Sequence, residues 1–390
     1  MGNPQRCGYR DQPLRAHGVS AQGGAVPAPP PARFAPAALA RFVSGVFEAE
    51  GLSPAHAGMV ADALVSANLR GVDTHGVFRV PAYLKRLRAG LLNPRPNLQI
   101  ECPAPTTLVL DADNAMGPVA AFSALDACLE RAAQFGMGAA TVRRSNHFGA
   151  AAAYTLRAAE QGCIGIVMSP GSRTLAPHGS RAALLGTHPF AVAVPSGRYA
   201  PFSLDMAASV AARGHVRVAA TRGQPIPEGW ALDAEGRPTT DALAALGGVM
   251  LPFGGAKGSG LAMMVDIFAA VLAGSAFAGD VRDWVNDFEG PADVGHFLLA
   301  IRVDAFLPAE AFARRMETAI ERLKALPPAE GFDEVLYPGE RAARTGAERS
   351  RAGIPLTPAS RAALEELAGP ALPFPDPLGP DALPDALIEA

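Results

Sequence analysis

The chain lacks any C-x-x-C pair: its four cysteines, Cys7, Cys102, Cys128 and Cys163, lie far apart. This spacing argues against a disulfide framework and against a zinc ribbon, and leaves reduced, mostly buried thiols as the expectation. An excess of positive charge is also missing. With a net charge of −3 and a pI near 6.3, there is no global field to hold a phosphate polymer or an anionic membrane. Neither nucleic acid nor membrane is therefore an expected partner. The N-terminus has no apolar core of signal-peptide type, and Arg6 stands where the myristoylation pattern requires Ser or Thr. The longest apolar stretch, "LAMMVDIFAAVLAGSAFAG" from Leu261, carries Asp266 as well as Gly274 and Gly279. It predicts a buried helix rather than a membrane span, and the cytoplasm is the expected location.

Two nucleotide-binding devices are absent as well. No G-x-G-x-x-G lies between a strand and a helix, and "GGAKGSG" at 254–260 departs from the P-loop pattern because Gly258 follows Lys257. Any nucleotide must be held in another way. The same segment reads as a strand at 249–251 feeding a glycine-rich turn that opens a helix near Ser259, where free N–H groups and Lys257 can meet an anion. An ordinary glycine turn with an exposed lysine reads equally well from these residues.

What is present is a long, apolar chain. Its 390 residues are about twice the ~100–200 typical of one domain, and 49% hydrophobic against 18% charged residues fits a compact protein with a large core. Residues 1–34, ending in "VPAPPPAR", hold too few large apolar groups to offset their ordering entropy and are expected to form a disordered extension. From Pro36, Leu39, Phe42, Val43, Val46 and Phe47 recur at helical spacing up to Gly51. A second helix opens with Ser53 as N-cap and runs to about Arg70, and a third spans about Val77 to Arg88. "LQIEC" and "TTLVLDAD" predict strands joined by a Pro-containing turn. Helix 119–134, strand 138–143, helix 149–161 and strand 164–169 follow as an alternating α/β region. Further strands are predicted at 190–195, 202–205, 249–251 and 296–303, then a helix over 308–326 and a short one near 359–368. A Pro-rich tail covers 371–390.

Three corners carry residues suited to chemistry. In "GVDTHGVFRVPAY" (71–83), Gly71 and Gly76 permit a sharp connection and put His75 near a helix start. A neighbouring Thr74 or Asp73 can fix the imidazole tautomer, which a proton carrier needs. Arg79, four residues on, is expected on the same face, so that a guanidinium grips a carboxylate while the imidazole exchanges a proton at C2 of a 2-oxo or 2-hydroxy acid. In "RRSNHFGAAAAY" (143–154), His147 stands at a strand-to-helix corner with Gly149 behind it. In "LLGTHPFAVAVP", Thr187, His188 and Pro189 separate two apolar runs, and "FSLDMAAS" puts Asp205 at a strand end ahead of a small-residue helix. Taken singly, each of these is also compatible with a polar turn or a helix cap. His75, His147 and His188 lack metal-ligand spacing, so no metal site is expected, and a metal-dependent lyase stands only as a rival reading.

Together the blocks resemble a known family. "ANLRGVDTHGVFRVPAYLKRLRAGLLNP", "RRSNHFGAAAAYTLRAAEQGCIGIVMS", "APHGSRAALLGTHPFAVAVP", "FSLDMAAS", "IPEGWALDAEGRPTTD", "LPFGGAKGSGLAMMVDIFAAVLAG" and "YPGERAARTGAERSRAGIPLT" stand in the order seen in malate/L-lactate dehydrogenases of non-Rossmann type, over about residues 36 to 370. The resemblance implies a homodimeric NAD- or NADP-dependent oxidoreductase of small 2-oxo or 2-hydroxy acids, or of cyclic imino acids. The implied fold is α/β, with a family-specific cofactor domain (99–325) on a mixed, largely antiparallel sheet, and a helical domain built from 35–98 with 326–370. It makes His75 the proton donor with Thr74 as hydroxyl partner, and puts the substrate carboxylate on Arg79 with Thr187 nearby. His147 and Asp205 are implied in catalysis or cofactor contact. Phe148, Gly149, Thr187, His188, Pro189, Lys257, Gly339, Glu340 and Arg341 are implied as further cofactor contacts. Two positions depart from the family pattern: Thr74 replaces Ser, and His188 replaces the Asn of "GTNP".

Overall fold

The structure is a computed structural model, which describes residues 31–379. Strand β1 (Arg33–Phe34) leads into α1 (Pro36–Ala49), whose proline suits the first turn and whose Leu39, Phe42, Val43, Val46 and Phe47 are all buried. Ser53 caps α2 (Pro54–Leu69) by accepting the His56 N–H at 3.3 Å. Two successive 3-10 turns, Asp73–His75 and Val77–Arg79, then precede α3 (Val80–Arg88).

The next elements build the sheet: β2 (Gln99–Ala104), β3 (Thr107–Asp111), α4 (Gly117–Phe135), β4 (Met137–Ser145), α5 (Ala152–Glu160), β5 (Cys163–Met168), β6 (Phe190–Val194) and β7 (Phe202–Met206). An excursion follows through α6 (Arg213–Thr221), β8 (Ala231–Leu232), β9 (Pro238–Thr239), α7 (Ala242–Gly247), β10 (Val249–Met250) and α8 (Ala256–Asp266). Strand β11 (Val294–Arg302) then inserts between β4 and β5, giving the order β2-β3-β4-β11-β5-β6-β7. Only the β3–β4 pairing is parallel. The register brings Ser145, Val294, Met168, Phe190 and Met206 to one end of this sheet. Helix α9 (Ala309–Lys324) leads to α10 (Glu340–Ala352), β12 (Ile354–Pro355) and α11 (Pro358–Glu365), and β12 pairs with β1, so both ends of the described chain meet.

One continuous core joins the helices at the chain ends to the sheet, running from Phe34 and Leu64 through Leu125 and Val142 to Leu298 and Ile354. A second core, around Leu175, Val216, Ile226 and Met250, lies beneath α6, α7 and the small β10-β8-β9 sheet.

Several expectations need correction. The extension predicted to reach residue 34 ends sooner, because Arg33 and Phe34 pair with β12 and Phe34 is fully buried; most of that extension lies outside the described residues. The start of the Pro-rich tail is packed: Phe374 meets Phe34 and Phe42 edge-on at 5.2 and 5.0 Å between centroids. Strand 249–251 belongs to the small sheet, and the helix after it opens at Ala256 rather than Ser259. No helix directly follows Asp205; residues 207–212 are irregular and pair by backbone with 251–253. The stretch from Leu261 is only half buried, since Met263, Ile267, Phe268, Val271 and Leu272 face outward, uncovered by the described residues. Cys128 and Cys163 are buried, whereas Cys102 is exposed on the edge strand β2; Cys7 lies outside the described residues. No helix among the described residues is long and apolar enough to cross a membrane.

Candidate active site

The site grows from the end of α2. Asn68, buried there, accepts the Val77 N–H with its Oδ1 at 2.8 Å and donates from Nδ2 to Asp73 at 2.6 Å. Gly76 is required at this crossing, because a Cβ in its place would stand 2.1 Å from Asn68 Oδ1. Arg349 on α10 closes the turn with two bonds to Asp73, at 2.7 and 3.1 Å. Asp73 therefore holds the loop, and the loop presents its neighbours. His75 and Arg79 do not share a helical face as expected, since the extended Gly76 separates the two 3-10 turns. They meet through the backbone instead: Arg79 Nε donates to Thr74 O at 2.6 Å.

His75 pairs at Nδ1 with Thr74 Oγ1, 3.1 Å away, which leaves Nε2 for the cleft. Burial, and secondly the Arg79 charge, hold its pKa down to about 4, so His75 is neutral at pH 7. His147 follows β4 and lies 5.8 Å from His75 between ring centroids. Its Nδ1 is 2.7 Å from the Tyr83 hydroxyl and accepts the Gly149 N–H at 3.4 Å. An Nδ1 that accepts an amide proton carries none itself, so the ring proton sits on Nε2. Burial first, then Arg79, His75 and His296, keep His147 neutral. Trp284 stacks on its other face at 4.2 Å and 18°, and the same indole lies 5.1 Å beneath the Arg79 guanidinium.

Asp205, near the end of β7, is exposed at its surface side and meets the start of α5, with the Arg70 charge close by. Burial raises its pKa, while the Ala152 N–H, which it accepts at 2.9 Å, and Arg70 pull the other way. It caps α5, a helix from another part of the chain, rather than a helix of its own. His75, Arg79, His147 and Asp205 thus gather at one end of the large sheet, with Thr187 and Pro189 entering at the adjoining end of β6.

The sequence pattern of malate/L-lactate dehydrogenases matches residues 34–365. The chain belongs to the malate/L-lactate dehydrogenase family. L-sulfolactate dehydrogenase of Methanocaldococcus jannaschii is 37% identical over 300 residues, covering 77% of this chain and 86% of that protein. Malate dehydrogenase of Pyrococcus abyssi is 37% identical over 326 residues, covering 82% and 89%. The solved structure of the M. jannaschii sulfolactate dehydrogenase superposes with a TM-score of 0.81 at 35% identity, covering 86% of this chain and 96% of that one.

In this dehydrogenase the remaining sequence-predicted positions divide. Gly149 (φ +80°) and the start of α5 lie beside His75, and exposed Lys257 stands in the first turn of α8. The Gly149 and Ala152 N–H groups are already taken by His147 and Asp205, whereas the Lys257 ammonium has no ion-pair partner among the described residues. Phe148 is buried against His296 at 4.6 Å and serves as backing. His188 turns inward: its Nδ1 accepts the N–H of Gly171 and of Gly186 at 3.2 and 3.1 Å, and its Nε2 lies 3.3 Å from Asp266. Glu340 is committed to Lys324 at 2.7 Å and Arg344 at 2.5 Å, beside Gly339, whose backbone packs on Ser203, while Arg341 is exposed.

Sequence reasoning missed Tyr83, Arg86 and Trp284. Tyr83 lies one turn beyond Arg79, a spacing that was available. Arg86, fully buried, donates to the carbonyls of Trp284, Asp287 and Gly290 and so fixes the irregular loop that delivers the indole. Nothing local in sequence links those two. Among the described residues, no group of three His, Cys, Asp or Glu is arranged to hold a metal ion.

Proposed function

We propose that this family member interconverts a small 2-hydroxy acid and its 2-oxo acid, with NAD or NADP as partner. The carrying observation is one cleft in which neutral His75 stands beside Arg79, a guanidinium with no carboxylate partner among the described residues. Arg79, with its Nε used by Thr74 O, keeps its two terminal nitrogens for a carboxylate. In the oxidative direction His75 Nε2 takes the proton from the C2 hydroxyl, and in the reductive direction it returns it. A carboxylate on Arg79 offsets part of what keeps the His75 pKa low, so substrate binding and proton uptake are coupled. His147, held in the Nε2–H form by Tyr83 and Gly149, donates a hydrogen bond to the C2 oxygen. Trp284 keeps water from one face of His147. The bound nicotinamide supplies the hydride acceptor or donor. Asp205, Gly149, Thr187, Pro189, Lys257 and the Gly339–Arg341 corner are the positions we assign to holding it; the inward ring of His188 supports the loop on which Thr187 sits.

A homodimer is part of the same reading, supported by the outward apolar row Met263, Ile267, Phe268, Val271 and Leu272. A cytoplasmic location belongs to the same reading, in line with the weak overall charge. The deciding experiment titrates NADH and NADPH fluorescence with purified protein, then follows nicotinamide absorbance with a panel of 2-oxo acids and cyclic imino acids. Binding and oxidation with an oxo acid are expected; oxidation with imines alone overturns the choice of C–O substrate, and no binding of either cofactor overturns the whole reading.

A further inference from the structure

A small cavity lies against His147, lined also by Tyr83, Arg86, Leu92, Asn146 and Trp284. Its volume is about 10 Å³, which is room for the centre of one water molecule and for nothing larger. Two of the lining side chains are buried with a polar atom unpaired among the described residues: Arg86, 1% exposed, at Nε, and Asn146, 4% exposed, at Oδ1. Neither is relieved by turning its group over. The terminal nitrogens of Arg86 are spent on the carbonyls of Trp284, Asp287 and Gly290. Asn146 Nδ2 donates to Ala115 O at 2.8 Å and to Asn114 Oδ1 at 3.0 Å, which fixes the amide with its oxygen the other way. A donor and an acceptor are left on the walls of one cavity, and a water between them satisfies both. Such a water accepts from Arg86 Nε and gives one proton to Asn146 Oδ1. Its second proton needs an acceptor. His147 Nδ1 is already taken by Tyr83 and Gly149, so the lining side-chain atom with a lone pair to spare is the Tyr83 oxygen. A hydroxyl that accepts there turns its own proton onto His147 Nδ1, 2.7 Å away. The bonds then run one way, from Arg86 through water and Tyr83 to His147, and each polarises the next.

We propose that this cavity binds one water, held by Arg86 Nε, Asn146 Oδ1 and the Tyr83 hydroxyl, and that the chain it completes keeps His147 a hydrogen-bond donor while proton transfer stays with His75. Arg86 and Asn146 are then positioning residues, acting on the reaction through the water and Tyr83. This rests on the roles given to the two histidines above and deepens them.

The first measurement is a crystal structure of the wild type at a resolution that shows single waters. A water within ~3.2 Å of both Arg86 Nε and Asn146 Oδ1 is expected, and a dry cavity overturns the proposal. Ring-nitrogen NMR of isotope-labelled histidine, with His147→Gln identifying the signal, is expected to show His147 protonated at Nε2 alone; a proton on Nδ1 overturns the chain. Leu92→Phe, and Leu92→Met as the milder filling, put carbon in the place of the water and leave the polar groups intact, with thermal melts checking that each variant folds. A filled variant is expected to lower kcat by about three- to tenfold and to add nothing to Tyr83→Phe, because both changes cut the same chain. Unchanged kcat in a filled variant, or losses that multiply with that of Tyr83→Phe, overturns the positioning role. Failure of the oxo-acid reading shows separately as no turnover with any acid; the water and the tautomer, both measured without substrate, then still decide the chain.

Discussion

His147 and His188 occupy matching places, one leaving β4 and the other entering β6 at the same end of the sheet, and both rings accept backbone N–H groups at Nδ1. Their second nitrogens differ. His147 is half-buried between Trp284 and His75, so its Nε2 is available to a substrate. His188 is 1% exposed, sits at φ +42°, and turns Nε2 toward Asp266, whose carboxylate in turn accepts the Ala278 N–H at 3.0 Å. One ring belongs to the cleft and the other staples two loops to α8. The same residue type at the same kind of corner thus keeps its far nitrogen open or commits it to a carboxylate, according to what that nitrogen meets.

The largest effect expected in the cleft comes from His75→Ala, which lowers kcat by ~10²–10⁴-fold in a nicotinamide absorbance assay. An unaltered kcat moves the proton to His147 and makes that histidine the centre of the site. Arg79→Lys is expected to raise the substrate KM by about tenfold or more, because an ammonium cannot reproduce the planar fork; a KM that stays put removes the clamp. Tyr83→Phe frees the His147 tautomer, and a kcat reduced by roughly three- to tenfold is expected, with retention of full activity counting against the lock.

On the architectural side, His188→Ala leaves two amide donors unpartnered, and urea unfolding is expected to show a loss of about 1–3 kcal/mol. Its kcat is expected to fall less than that of His147→Ala, and equal losses break the comparison. Acid is expected to act on the same stability. His75 is held down to about 4 and His296 to about 3, chiefly by burial, whereas an unfolded histidine titrates near 6.5. The unfolded chain takes up these protons first. Stability is therefore complete above about pH 6.5 and drains away as pH falls toward 4 and then 3. Urea midpoints measured from pH 7 to 4 test this, and His296→Gln is expected to shallow the slope; an acid side without any loss contradicts it.

Helix α1 and strands such as β3, β4 and β6 were legible because burial on one face leaves a period in the sequence, and α2 was legible from its Ser53-Pro54 start. Helix α10 was not: Glu340–Ala352 holds no apolar residue larger than alanine, and it is held by ion pairs such as Arg33–Glu348 and Arg349–Asp73 rather than by an apolar stripe. Of the two-residue strands of the small sheet, β8 and β9 were too short for any period to register, whereas β10 was legible at 249–251 ahead of its glycine turn. In the cleft, His75, Arg79 and His147 were legible as residue types beside glycine-marked corners, and Asp205 as a carboxylate at a strand end. The inward turn of His188, the commitment of Glu340 to Lys324 and Arg344, and the cover of Trp284 were not.

By itself, then, the sequence determined the chemistry on offer: an imidazole and a guanidinium beside a glycine turn, and a family order of blocks without a Rossmann fingerprint. The tertiary structure decided which groups meet. Strand β11 enters between β4 and β5, and Arg86 then pins the loop before it so that Trp284 reaches His147. Contacts of that span depend on sheet order and on the burial of a distant arginine, and neither leaves a local pattern in the chain.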